Sequence, residues 1–201
     1  AYCQPLEGPR VAILTNAGGP AAVGADALDR EGLRLADLSP ETQARLRQVC
    51  PRGTMVGNPI DMLGGPQPDH FTAAMEVLFD APEVDGIMVV FVPQAIMPPY
   101  DVAAAVGRAA ESNSKPVVCS ISGGGGIRAA ARALHAHSVP HYLTPARAAL
   151  GLGVLCRYGR IQARDAVEVS LPQGVDLERA RYLVETATAR QRVLDPHVGS
   201  E

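Results

Sequence analysis

Two stretches of this chain hold residues whose types and spacing suit the binding of an anion. The first reads Val11-Ala12-Ile13-Leu14-Thr15-Asn16-Ala17-Gly18-Gly19-Pro20, an apolar run that stops at a polar, glycine-rich turn and then opens a helical pattern. Glycines let backbone come close to a ligand, and the unpaired N–H groups and dipole at a helix start favour a phosphate or carboxylate. The second reads Asn58-Pro59-Ile60-Asp61 and continues to Gly64-Gly65. Both turns follow apolar runs, and each is expected to open a helix. The two are expected to converge on one edge of a sheet, with free N–H groups after Gly18-Gly19 and after Gly64-Gly65.

Each of these residues also has a purely architectural reading. Asp61 can satisfy backbone amides of its own turn, and Asn58 before Pro59 is a common turn starter. The run Gly123–Gly126 invites a phosphate-loop reading, but it lacks the Lys-Ser/Thr pair that a Walker loop needs and reads as a strand-to-helix turn. His135 and His137 stand two apart, on different sides of a helix, and do not share a metal. His70, beside Asp69 in an expected first helical turn, reads as a solvated polar residue. Cys3, Cys50, Cys119 and Cys156 are widely spaced, form no C-x-x-C pair, and carry no metal or disulfide reading.

The elements that must position these turns alternate regularly. Apolar runs predict strands at Val11–Thr15, Arg34–Ala36, Thr54–Val56, Gly86–Val92, Pro116–Ile121 and His141–Leu143. Helical patterns fall at Pro20–Glu31, Pro40–Val49, Asp69–Phe79, Pro99–Ala110, Gly125–His137 and Pro145–Tyr158. Ser39-Pro40 and Thr144-Pro145 each place Pro at the first helical position behind a hydroxyl cap. Alternation of this kind predicts an α/β fold: a parallel sheet of about five strands with helices on both faces. Ile87 to Val92 is apolar at successive positions, as a strand buried on both sides must be. Ligands of such sheets gather beyond the carboxyl ends of the strands. Those ends are 16–19, 58–65, Pro93-Gln94 and 122–126. A first domain is expected over 1–158. Beyond it, 159–174 lacks a long period, and an amphipathic helix from Asp176 to Leu194, with Leu177, Ala180, Leu183, Val184 and Ala187 on one side, reads as a connector toward a further domain.

Composition excludes several classes. The 201 residues carry a formal net charge of −3, only 4% aromatics and no Trp, which leaves little to grip phosphate backbones or stack bases. No apolar stretch approaches the ~20 residues of a membrane-spanning helix, and no charged-then-apolar leader opens the chain. Neither a nucleic acid nor a membrane is expected as a partner, and the expected setting is cytoplasmic.

The series VAILTNAGGP (11–20), NPID (58–61), VDGIMVVFVP (84–93), KPVVCSI (115–121) and VPHYLTPARA (139–148) resembles the flavodoxin-like CoA-ligase domain of NDP-forming acyl-CoA synthetases. That domain is the counterpart of the carboxyl-terminal domain of the succinyl-CoA synthetase β subunit, and residues 175–196 resemble the lead-in to an ATP-grasp domain. The resemblance implies conversion of acid, CoA and ATP to acyl-CoA, ADP and phosphate through an acyl phosphate and a phosphorylated histidine. It places the phosphate- and acyl-facing positions at Asn16, Gly18 and Gly19 and at Asn58, Asp61, Gly64 and Gly65. The family's shuttle histidine stands in a His-Thr-Gly or His-Ala-Gly context, which His70, His135, His137, His141 and His197 do not share, so no catalytic residue is assigned. No cofactor is expected on this domain alone. CoA, ATP/ADP and Mg are implied for the full enzyme, together with CoA-binding and ATP-grasp domains or subunits and a small carboxylic acid or acyl phosphate. Ala21 stands where many members carry another glycine. Two other classes remain open: a regulatory or binding module of ligase ancestry, as in a multidomain protein acetyltransferase, and a flavodoxin-like domain for a small anion or nucleotide.

Overall fold

The computed structural model describes residues 3–94, 97–111, 113, 115–123, 125–164 and 176–189. In chain order the elements are β1 (Arg10–Thr15), α1 (Gly18–Arg30), β2 (Arg34–Leu35), α2 (Pro40–Val49), β3 (Ile60–Asp61), α3 (Pro68–Asp80), β4 (Gly86–Phe91), α4 (Pro99–Glu111), β5 (Val117–Ile121), α5 (Ile127–Ala136), β6 (His141–Tyr142), α6 (Pro145–Gln162) and α7 (Leu177–Ala189). The chain divides into two units, Ala1–Arg164 and Asp165–Glu201. In the second, Asp176 caps α7, its carboxylate accepting from the Arg179 N–H at 2.9 Å. The stretch 165–175 and the expected continuation of that helix to Leu194 lie outside the described residues.

Every named strand pair is parallel, and the order is β2-β1-β4-β5-β6 with β3 also on β1. The sheet therefore has six strands, within the α/β class that alternation predicts. Successive strand residues point to opposite faces. Ala12, Leu14, Ile87, Val89, Phe91, Val117, Cys119 and Ile121 join a core with α2, α3, α4 and α5, where Phe71 and Phe91 meet edge to face at 5.9 Å. Val11, Ile13, Met88, Val90 and Val118 join a second core with α1 and α6. Burial on both faces explains why β4 is apolar at every position.

The helix starts follow their caps. Ser39 Oγ accepts from the Thr42 N–H at 3.1 Å, and Thr144 Oγ1 accepts from the Arg147 N–H at 3.3 Å. Glu83 reinforces the start of α2, accepting from the Ser39 N–H at 2.9 Å and the Thr42 hydroxyl at 2.7 Å. At the amino ends of β1 and β4, Arg10 grips Asp85 through Nη2 at 2.6 Å and Nε at 2.9 Å, and its backbone N–H donates to the same carboxylate at 2.8 Å.

One expected strand is displaced. Residues 54–56 do not join the sheet as a strand; the third strand is Ile60–Asp61, and Met55 meets Asp61 in an isolated antiparallel bridge. The physical reason lies in β1, whose far end, Leu14 and Thr15, still needs a partner where β2 has ended. Ile60, fully buried, fills that place, while Met55 is 64% exposed and gains nothing from burial. Helix α6 continues past Tyr158 to Gln162.

Candidate functional site at the carboxyl edge

β1 connects to β2 on one side of the sheet, whereas β4 leads to β5 on the other, so the direction of winding reverses between β1 and β4. A crevice forms beyond the carboxyl ends of the strands at such a reversal. Its floor is fastened by Asn16, which is 5% exposed: Oδ1 accepts from the Val92 N–H and Nδ2 donates to the Val92 carbonyl, both at 2.9 Å. This side chain continues the β1–β4 ladder by one more step.

Asn58 does the same on the other edge of β1. β2 pairs with Arg10 and Val11, and β3 pairs with Leu14 and Thr15, which leaves a gap in the ladder between them. Asn58 Oδ1 accepts from the Ile13 N–H at 2.9 Å, and Nδ2 donates to the carbonyls of Val11 at 2.8 Å and Ala36 at 3.0 Å. The carboxamide carries a donor end and an acceptor end like a peptide group, so it can replace the missing strand residue. Both donor hydrogens of Asn58 are spent on backbone.

Helix α1 opens the crevice on the β1 side. Ala17 precedes it in extended conformation with no side-chain cap, and its first turn holds no acidic residue. The first N–H groups of a helix lack partners within it. Those of Gly18 and Gly19, both exposed, face no acceptor among the described residues. Pro20 has no N–H to offer. Thr15 steadies the turn by accepting from the Ala17 N–H at 2.9 Å.

The second turn leans on the first through Asp61. Its Oδ1 accepts from the Leu63 N–H at 2.9 Å, which tightens the loop and sets Leu63 in the left-handed region with φ 58. Its Oδ2 lies 2.8 Å from the point where a Cβ on Gly18 would stand, so a side chain at residue 18 would push the carboxylate aside. Gly64 borders Gln94: the Gln94 Nε2 lies 3.8 Å from the equivalent point on Gly64. Gly64 and Gly65 are exposed, but they do not open a helix. α3 starts at Pro68, with Pro66 and Gln67 between, and its start is tied by the Gln67 N–H donating to His70 Nδ1 at 2.8 Å. His70, read as a solvated residue from its neighbours, is instead part of that cap.

The structure thus brings Gly18 against Asp61 and Gly64 beside Gln94, while Asn16 and Asn58 are bound into the strand framework; nothing lies within 4 Å of where a Cβ on Gly19 or Gly65 would stand. Gln94 was visible in the sequence only as the end of the longest apolar strand. Across β5, Ser122 Oγ donates to the Leu143 carbonyl at 3.0 Å, and Gly126 precedes α5 in left-handed conformation with φ 81; Gly124 lies outside the described residues. Ser120 in β5 is buried, and its Oγ has no partner among the described residues. Cys119 is buried beside it, and burial pushes its thiol up to about 12, so it stays protonated and unreactive. No group of three or more His, Cys, Asp or Glu among the described residues could hold a metal ion, and no described helix is long and apolar enough to cross a membrane.

Comparison with known proteins agrees with this architecture. Residues 11–168 match the model of the Ligase-CoA domain. The chain is 33% identical over 176 residues to acetate–CoA ligase (ADP-forming) I of Archaeoglobus fulgidus, covering 87% of this chain and 25% of that protein. It is 35% identical over 150 residues to the α subunit of acetate–CoA ligase (ADP-forming) II of Pyrococcus furiosus, covering 72% of this chain and 33% of the subunit. Among solved structures, the acetyl-coenzyme A synthetase 1 of Candidatus Korarchaeum cryptofilum in complex with phosphate and ADP superimposes with a TM-score of 0.71 at 28% identity, over 81% of this chain and 35% of that one. The chain thus spans about a quarter to a third of the length of these relatives.

Proposed function

Since this chain belongs to the Ligase-CoA domain family, we propose that it is the module of an ADP-forming acyl-CoA synthetase that receives the phosphoryl group or acyl phosphate at the start of α1. The reaction of the whole enzyme is acid + CoA + ATP to acyl-CoA + ADP + phosphate, by way of an acyl phosphate and a phosphohistidine. The observation that carries the reading is the joining of both glycine-bearing turns at the reversal of the sheet, with Asp61 seated against Gly18. There the N–H groups of Gly18 and Gly19 hold the negative oxygens through charge-assisted hydrogen bonds. Asn16 and Asn58 fix the strand ends from which those N–H groups project. Asp61 shapes the second turn rather than binding the anion, since like charges repel.

The histidine, the CoA-binding domain and the ATP-grasp domain belong to other segments or subunits. CoA and the nucleotide with its Mg go with them, and no donor set among the described residues fits the metal. The segment beyond α6 is the connector toward the ATP-grasp part. The setting is the cytoplasm. Titration of the chain with inorganic phosphate, followed by backbone amide NMR, tests the reading. Shifts centred on 17–19 and 61–65 support it; shifts confined to 123–126, with those turns silent, refute it.

A further inference from the structure

The loop between β3 and α3 is tethered at its two ends by side chains. At one end Asp61 Oδ1 accepts from the Leu63 N–H at 2.9 Å, and at the other His70 Nδ1 accepts from the Gln67 N–H at 2.8 Å. Between them Gly64 and Gly65 are exposed, their N–H groups meet no acceptor among the described residues, and Pro66 has no N–H to offer. The second tether is a capping box, in which the third residue of the helix accepts from the N–H of the residue that caps it. Glutamate or glutamine usually fills that place. Here it is a histidine, and the bond fixes its protonation. A backbone N–H can only donate, so Nδ1 must present its lone pair, and the proton of the neutral ring sits on Nε2. An imidazolium carries a proton on both nitrogens and cannot accept.

From this geometry we infer that His70 is a pH-sensitive latch on the 63–67 loop: the neutral ring ties the loop to the start of α3, and protonation of Nδ1 releases it. Protonation does more than remove an acceptor. It sets an N–H against the Gln67 N–H, and it places a cation in the first turn of a helix, where the dipole favours anions. Asp69 shares that turn and is the one acid beside His70 in the chain. Of the other charged groups on α3, Glu76 lies six residues further on, and Asp80 is bound to Arg45 of α2 at the far end. Helices α2 and α4 and strand β1 pack against α3. They add Glu41 and Arg47 on α2, Asp101 in the first turn of α4 with Arg108 and Glu111 in its last turns, and Arg10 of β1, which Asp85 holds. No ion pair joins His70 to any of these among the described residues. A histidine changes charge between about pH 5 and 8, where a glutamine in its place would not. The latch does not depend on what the crevice binds, because it acts on the order of the loop itself.

NMR of the full 201-residue chain tests the latch, in the wild type and in His70→Gln. Glutamine can accept from the same N–H and does not titrate. In the wild type, the imidazole nitrogen shifts near pH 8, above the ordinary range of histidine, should report the tautomer with its proton on Nε2. As the pH is lowered to about 5.5, through that range, the Gln67 N–H should lose protection against hydrogen exchange, corrected for the intrinsic rate at each pH. The expected loss is about fivefold, the share of one neutral hydrogen bond. Its midpoint should match that of the His70 ring, and the Gly64 and Gly65 amide signals should shift with it. In His70→Gln the Gln67 protection should persist over the same range, and any pH dependence left in the loop then belongs to Asp61, Asp69 and the other acids. A wild-type ring with its proton on Nδ1 near pH 8, or a loss of Gln67 protection that is equal in the two proteins, would overturn the assignment.

Discussion

Asn16 and Val92 exchange two hydrogen bonds of 2.9 Å, side chain to backbone in both directions, and in doing so tie the ends of the two strands between which the sheet reverses. The carboxamide at residue 16 thus serves the site by fixing geometry. Replacing Asn16 by Asp keeps the shape but sets an oxygen against the Val92 carbonyl. The expected cost is about 2 kcal/mol, from one lost hydrogen bond and one repulsive contact in a buried setting. Urea denaturation checks it, and a loss below a few tenths of a kcal/mol would show that the clamp contributes nothing.

Asn58 makes three hydrogen bonds with β1 and the residue after β2, so it should matter more. Asn58→Ala is expected to cost about 3 kcal/mol, at about 1 kcal/mol per bond. The damage should be local first: hydrogen exchange at Ile13, whose N–H loses its acceptor, should speed up before that of β4. Protection at Ile13 equal to the wild type would mean that backbone or water replaces the side chain at no cost.

The layered sheet and most helix starts were legible because each rests on local chemistry. Ser39-Pro40 and Thr144-Pro145 are caps wherever they stand, and the all-apolar β4 can only lie between two cores. The third strand was not legible. Thr54–Val56 looks more strand-like than Ile60–Asp61, and only the unpaired end of β1 decides between them. The site was half legible for the same reason. Glycines 18 and 19 announce a turn into a helix, but the packing of Asp61 on Gly18 and of Gln94 beside Gly64 joins residues far apart in sequence. The family resemblance places Asn16 and Asn58 at phosphate-facing positions, and no rule of spacing shows that their amides fill ladder positions.

Acid should loosen the amino-terminal part of α2. Burial alone would push the Glu83 carboxyl up, but the Ser39 N–H and the Thr42 hydroxyl outweigh it and hold the group down to about 2. A carboxyl lowered in the folded state contributes stability above its unfolded value and loses it as pH falls toward the folded one. The window therefore runs from about 4.5 down to about 2. Asp85 is shifted in the same direction: Arg10 outweighs the effect of burial. Denaturation midpoints measured from pH 6 to pH 2.5 should fall less steeply in Glu83→Gln than in the wild type; parallel curves would remove Glu83 from the acid response.

The purified 201-residue chain should neither take up phosphate from labelled ATP nor form acyl-CoA, because none of its histidines stands in the family's shuttle context. An acid-labile phosphate assay reads this directly. Labelling of any of its histidines would overturn the modular reading, and mass spectrometry of the labelled peptide would say which one does the work.

Asp61 gives the sharpest test of how the crevice is balanced, because its two oxygens have separate tasks. Oδ1 holds the Leu63 N–H at 2.9 Å, and Oδ2 brings negative charge to the start of α1 beside Gly18. Asp61→Asn can keep the first and removes the second. Loss of a carboxylate from a helix start costs about 0.5 kcal/mol, so the variant should be slightly less stable than the wild type. Phosphate should nevertheless bind it better. Two unit charges a few ångströms apart at a wet surface repel by about 1 kcal/mol, which corresponds to an affinity gain of about fivefold. The gain should shrink as salt is raised, because exposed charges are screened. Stability and affinity moving in opposite directions, with affinity alone sensitive to salt, is the expected pattern. If Asp61→Asn instead weakened phosphate binding in proportion to its loss of stability, Asp61 would act only by shaping the turn, and its charge would play no part in the balance of the site.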